Sequence, residues 1–132
     1  KIEIAKRCKL VYDILLSYII ILDRFMRNVV LGFLGTQLDQ GKRGGWKPTV
    51  SLCQNGDFVV DRLELLYDHK FSRLAHGLKK EIERFTPETE VLLHRMDMDD
   101  PWDLEEVYAK LYDFAQGYGF DEDRERYHIR RP

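Results

Sequence analysis

Apolar positions along this chain follow three patterns in turn. In residues 1–25, Ile4, Cys8, Val11, Leu15, Tyr18 and Leu22 are spaced to share one face of a helix. Ile14, Leu16, Ile19, Ile20 and Ile21 widen that face until it nearly encircles the helix, so the segment must be buried, paired or held on a membrane surface. Val29 to Leu34 is then apolar apart from Gly32, too short for an ordinary helix, and bounded by Gly35 and Thr36. That is the pattern of a central parallel strand covered on both faces. Gln37 to Pro48 is polar and glycine-rich, as a loop is. Thr49 to Cys53 has strand character, and Asn55-Gly56 predicts a hairpin turn into Phe58, Val59 and Val60.

Leu63 to Tyr67 predicts a second core strand, ended by Asp68 and His69. From Phe71 to Phe85 the period becomes helical, with Phe71, Leu74, Leu78, Ile82 and Phe85 on one face. Thr86-Pro87 stops that helix, because proline disfavours helical geometry in the residue before it. Glu90 to Met98 alternates as a strand does. Asp100-Pro101 predicts a helix start, an acidic cap followed by proline at the first helical position. The helix is expected to turn Leu104, Val107, Tyr108, Leu111 and Phe114 inward and to end at Gly117 and Gly119. Tyr127-His128-Ile129 opens a further strand. Strands alternating with helices of this length predict an α/β fold: a Rossmann-like, mostly parallel sheet with flanking helices and right-handed crossovers, plus an extra N-terminal helix.

Met26, the first methionine, sits directly before the first strand. The expectation is therefore that residues 1–25 are an apolar helical leader outside the native domain, and that 26–132 form the domain proper. At 132 residues there is room for one modest core. A net charge of −2 argues against a surface that coats nucleic acid broadly, although residues 1–60 sum to +4 and 61–132 to −6. The positive part includes Lys42, Arg43 and Lys47 around Gly44, Gly45 and Trp46. Such a loop is either simply solvated or faces a phosphate. Cys8 and Cys53 have no spacing that suggests a disulfide framework or zinc site, so a cytoplasmic location is expected. The apolar run from Leu10 to Leu22 contains Asp13 and is shorter than the about 20 residues a membrane span needs.

Loops at the carboxyl ends of parallel strands are where such sheets hold ligands, which directs attention to Gly32-Phe-Leu-Gly35-Thr36. The stretch lacks the third glycine of a dinucleotide fingerprint and any Gly-Lys-Ser/Thr ending. Its glycines serve either close passage of neighbouring segments or an anion held by turn amides. Asp97, Asp99 and Asp100 read as caps and a solvated edge more readily than as metal ligands. His69, His76, His94 and His128 have no tight ligand spacing, and no nucleophile, base and acid can be assembled from spacing. Trp102, Tyr108, Tyr112, Phe114 and Tyr118 form an aromatic-rich segment, read as core packing with base stacking as the alternative.

Five stretches carry a family resemblance: Gly32-Phe-Leu-Gly-Thr-Gln-Leu-Asp39, Trp46-Lys-Pro-Thr-Val-Ser-Leu-Cys53, Val60-Asp-Arg-Leu-Glu-Leu-Leu-Tyr-Asp68, Pro87-Glu-Thr-Glu-Val91 and Pro101-Trp-Asp-Leu-Glu-Glu-Val-Tyr108. From Met26 to about Ile129 the chain resembles the N-terminal domain of the RtcR family, sigma-54-dependent activators of the operon for RNA ligase and RNA 3′-terminal phosphate cyclase. The resemblance implies a CARF-type sensor domain that recognises an RNA-derived ligand, an oligoadenylate or an RNA end, and restrains an AAA+ ATPase. That ATPase and the sigma-54 RNA polymerase it engages would be partners only of a full-length protein; a homodimer is open.

The implied function is regulatory, not enzymatic, with no cofactor or metal and no membrane. The family's first binding loop maps onto Gly35, Thr36 and Gln37, with Lys42, Arg43 and Lys47 adding charge. Its second, a Thr-Thr-Gly-Thr loop, has no counterpart after Ile129, so the domain is expected to be incomplete at its C-terminal end. Two alternatives stand beside this reading: a ring nuclease acting on cyclic oligoadenylate, for which Lys42 is a loose candidate, and a non-functional truncated remnant.

Overall fold

The computed structural model of the chain describes residues 2–42 and 44–130. Four strands, β1 (Arg27–Phe33), β2 (Arg62–Tyr67), β3 (Glu90–Arg95) and β4 (Glu125–Arg130), form one parallel sheet in the order β3-β2-β1-β4. β1 is paired on both sides, which places Leu31 between Glu64 and Ile129. This central position explains its continuous apolar run: Val29, Val30 and Leu31 are all buried.

One face of the sheet is covered by α2 (Pro48–Cys53) and α3 (Ser72–Phe85). Val30, Leu34, Leu63, Leu65 and Val91 from the sheet meet Val50, Cys53, Ala75, Leu78 and Ile82 from the helices. Each large side chain buried this way contributes about 1.5–3 kcal/mol. The expected α3 stripe holds except at its end, where Phe85 stays exposed under the Arg84 guanidinium.

Two sequence expectations are corrected. The hairpin over Thr49 to Val60 does not form. Pro48 stands at the first helical position of α2, and Val50 and Cys53, three residues apart, point into the core, so the period here is helical. Asn55-Gly56 instead makes a side-chain turn, with Asp57 N–H donating to Asn55 Oδ1 at 3.0 Å. Phe58 to Val60 forms no strand, and the Val60 carbonyl accepts from the Thr89 hydroxyl at 2.8 Å.

The second correction concerns α4, which spans Leu104–Gly117 and is capped by Asp103, not Asp100. The Asp103 carboxylate accepts from Glu105 N–H at 3.0 Å, whereas Asp100 closes the preceding turn by accepting from Trp102 N–H at 2.9 Å. With that phase Val107, Leu111, Phe114 and Tyr118 turn towards the sheet, while Leu104 and Tyr108 lie on the exposed flank. The aromatic residues of this segment are therefore divided: Phe114 and Tyr118 are half-buried towards the sheet, whereas Trp102, Tyr108 and Tyr112 are exposed.

The N-terminal helix, α1 (Ile2–Phe25), runs directly into β1. Its side chains from Glu3 to Asp23 are exposed, and Asp23 pairs with Arg126 of β4.

Candidate ligand cleft and the polar clamp behind it

A cleft of about 640 Å³ opens at the carboxyl ends of β1, β2 and β3. Phe33, Leu34 and Leu66 form its floor, and Phe71, Met96, Met98 and Trp102 its walls. Thr36, Asp68 and Lys70 are its polar members. An apolar cavity with a few polar groups at the carboxyl end of a parallel sheet is the usual place for a ligand.

Its rim is braced by carboxylates. Asp68 accepts from the N–H groups of Lys70 (3.0 Å) and Met98 (3.1 Å), which hold its carboxyl below the usual range. Asp97 accepts from Arg95 Nε and from the His69 N–H, at 2.9 and 2.8 Å, and lies well below the usual range, chiefly through Arg95. Asp68, His69 and Asp97 bring one ligand atom each within 4.8 Å of one another and could be read as a cation site. Both carboxylates are already engaged, however, by backbone amides and an arginine, and the cluster ties the end of β2 to the end of β3.

The loop after β1 is held by a carboxylate that the sequence did not flag. Asp39 is completely buried. Its Oδ2 accepts from Gly35 N–H at 2.9 Å and from the Thr49 hydroxyl at 2.6 Å, and its Oδ1 accepts from Thr49 N–H at 2.9 Å. The Thr49 oxygen also accepts from Arg130 Nη1. Gly32 in β1 and Gly35 in the loop both permit close passage. A Cβ on Gly32 would come within 2.9 Å of Arg130 Cβ, and one on Gly35 within 2.9 Å of Asp39 Oδ2.

The candidate ligand residues are thus divided. Thr36 lines the cleft. The Gly35 N–H is already donated to Asp39. Gln37 and Lys42 border a separate depression of about 360 Å³ with Leu38 and Gln40. Lys47 lies over Gly41, whose φ of 70° a side chain would rarely adopt, and its Nζ pairs with Glu81 Oε2 at 2.6 Å. Arg43 lies outside the described residues. Lys70 and Met98, which the sequence reading passed over, enter the cleft only because β2 and β3 are neighbours.

On the opposite sheet face lies a polar clamp. Arg62 donates to both oxygens of Glu125 (2.6 and 2.8 Å), to Glu64 Oε1 (2.9 Å) and to the Tyr118 hydroxyl (2.9 Å). Tyr118 in turn donates to Glu64 Oε1 at 3.0 Å, and Glu64 Oε2 pairs with His94 Nε2. The Arg62 guanidinium holds the Glu125 carboxyl down at about 2, while burial pushes the Tyr118 hydroxyl up to about 12. Three strands and the residue following α4 are joined in this way. The visible signal was a glutamate within the apolar Leu63–Leu66 run.

Sheet order and cleft together define a Rossmann-like α/β domain with an open cleft at the carboxyl ends of β1, β2 and β3. Residues 26–131 match the family described as regulator of RNA terminal phosphate cyclase, RtcR, and the chain belongs to that family. The transcriptional regulatory protein RtcR of Escherichia coli (strain K12) is 46% identical over 108 residues, which cover 78% of this chain and 20% of that protein. The chain thus spans about a fifth of the length of this relative. No solved structure matches it. Among the described residues, no helix is long and apolar enough to cross a membrane.

Proposed function

We propose that residues 26–130 are the sensor portion of an RtcR-type transcriptional regulator, binding an RNA-derived ligand in the cleft at the carboxyl ends of β1 to β3. The observation that carries this reading is the pairing of an apolar, aromatic wall with a hydroxyl and a cation in one cavity. Trp102 and Met98 suit a nucleobase face. Thr36 and Lys70 suit a phosphate. Gln37 and Lys42 border the separate depression, where a second nucleotide would be held. Lys47 serves the loop through Glu81 more than it serves a ligand. In a full-length protein, ligand occupancy would bias the contact of this domain with an AAA+ ATPase and hence engagement of sigma-54 RNA polymerase.

Residues 1–25 stand outside this sensor: their described side chains are exposed, and the family match begins at Met26. The domain binds rather than transforms its ligand.

Calorimetric titration of the chain with short oligoadenylates, linear with a terminal phosphate and cyclic, tests the proposal. Saturable binding that a DNA oligomer of equal length fails to reproduce is expected. Absence of heat with every RNA would count against it, and cleaved oligoadenylate in the cell would favour a ring nuclease instead.

A further inference from the structure

We infer that α1 is a self-association helix, and that its apolar band is covered by α1 of a second copy of this chain. Ile4, Cys8, Val11, Leu15, Tyr18, Leu22 and Phe25 follow one another at alternating steps of four and three residues. That is the a/d seam of a heptad repeat held over three heptads, a 3.5-residue period that one helix presents to another helix of the same kind. In this register Tyr12, Ile14, Ile19 and Ile21 occupy the e and g positions beside the seam, and Glu3, Lys6, Lys9, Asp13 and Asp23 fall at b, c and f. Arg7, at g, is the exception. Charge is thus sorted to the face away from the seam, a face that also carries the exposed Leu10, Leu16 and Ile20.

Nothing within the described chain covers the band. The large apolar seam residues are between 46% (Leu22) and 76% (Phe25) exposed, although the sheet domain begins at the next residue but one. At 1.5 Å per residue the helix is about 36 Å long. Its eleven seam and flanking side chains, each roughly half exposed or more, offer on the order of 800 Å², which is what one partner contributes to a standard stable interface. A membrane surface would want apolar residues on one side without regard to a 3.5 period and basic residues on the other; here the polar face mixes Lys6 and Lys9 with Glu3, Asp13 and Asp23. Apolar e and g positions make the band wider than a two-stranded seam needs, so more than two copies can share it.

The inference is independent of ligand binding in the cleft. Sedimentation equilibrium of the whole chain at tens of micromolar tests it, against a 15.7 kDa monomer. A mass of at least two copies is expected. A Val11→Glu/Leu15→Glu double variant should return to the monomer mass, with its near-ultraviolet circular dichroism between 250 and about 300 nm compared to confirm an intact sheet domain. A Lys9→Glu/Ser17→Glu variant on the outer face should stay assembled. A monomeric parent chain overturns the inference. So does equal dissociation by both variants, or a monomer that floats with anionic phospholipid vesicles.

Discussion

The N–H of Gly35 donates to Oδ2 of Asp39 at 2.9 Å, and that bond closes the loop after β1 on itself while Asp39 fastens it to Thr49 at the start of α2. The same carboxylate takes both donors of Thr49, so three hydrogen bonds converge on a side chain with no solvent exposure. Thr36 is presented to the cleft from a loop made rigid in this way.

Asp39→Ala strips acceptors from buried donors, each costing about 1–3 kcal/mol when left unpaired. A loss of about 3 kcal/mol in urea unfolding is expected, measured by far-ultraviolet circular dichroism. A change below 1 kcal/mol would show that water replaces the carboxylate without penalty.

Gly32→Ala places a methyl group against Arg130 Cβ at 2.9 Å, where β1 and β4 run side by side. Overpacking of this kind costs about 1–3 kcal/mol. The strain should concentrate at the sheet edge, so amide exchange in β4 should rise more than in β3.

Arg62→Met leaves the nearly buried carboxylates of Glu64 and Glu125 without their shared cation. Removing one partner of such a pair costs about 3–5 kcal/mol, readable as a lowered urea midpoint. A combined Arg62→Met/Glu64→Gln/Glu125→Gln variant should recover part of that loss, because the stranded charges go with the cation.

Glu125 also sets an acid limit. Its carboxyl is depressed from 4.5 to about 2 in the fold, chiefly by Arg62. The folded state therefore gains stability from its charge at pH values above about 4.5 and loses that gain progressively as pH falls towards 2. Stability measured across this window should decline less steeply in Glu125→Gln than in the parent chain.

The parallel sheet was legible because β1 carries an apolar run broken only by Gly32, β2 one broken only by Glu64, and α3 a helical stripe that holds as far as Ile82. The false hairpin arose where two short signals conflicted. Asn55-Gly56 favours a tight turn, but Pro48 and the spacing of Val50 and Cys53 favour one and a half turns of helix, and burial of those two side chains decided between them. The start of α4 was misplaced by three residues because Asp100 and Asp103 are both good caps: each carboxylate takes a following amide, but Asp100 takes that of Trp102 in the preceding turn and Asp103 those of Glu105 and Glu106 in the helix. For the site, Thr36 could be found from the strand-and-glycine pattern. Lys70 and Met98 could not, since they meet only after β2 and β3 pair. Asp39, in a polar loop, gave no sign that it would be buried.

The cleft as the seat of ligand recognition is tested most directly by fluorescence of a Trp46→Phe chain, in which Trp102 at the cleft wall is the remaining tryptophan. Titration with oligoadenylate should shift its emission saturably, and adding Thr36→Ala should weaken that response by about tenfold, the equivalent of one hydrogen bond of roughly 1.4 kcal/mol. Emission that stays unchanged up to millimolar oligoadenylate, or a response that Thr36→Ala leaves intact, would contradict the account.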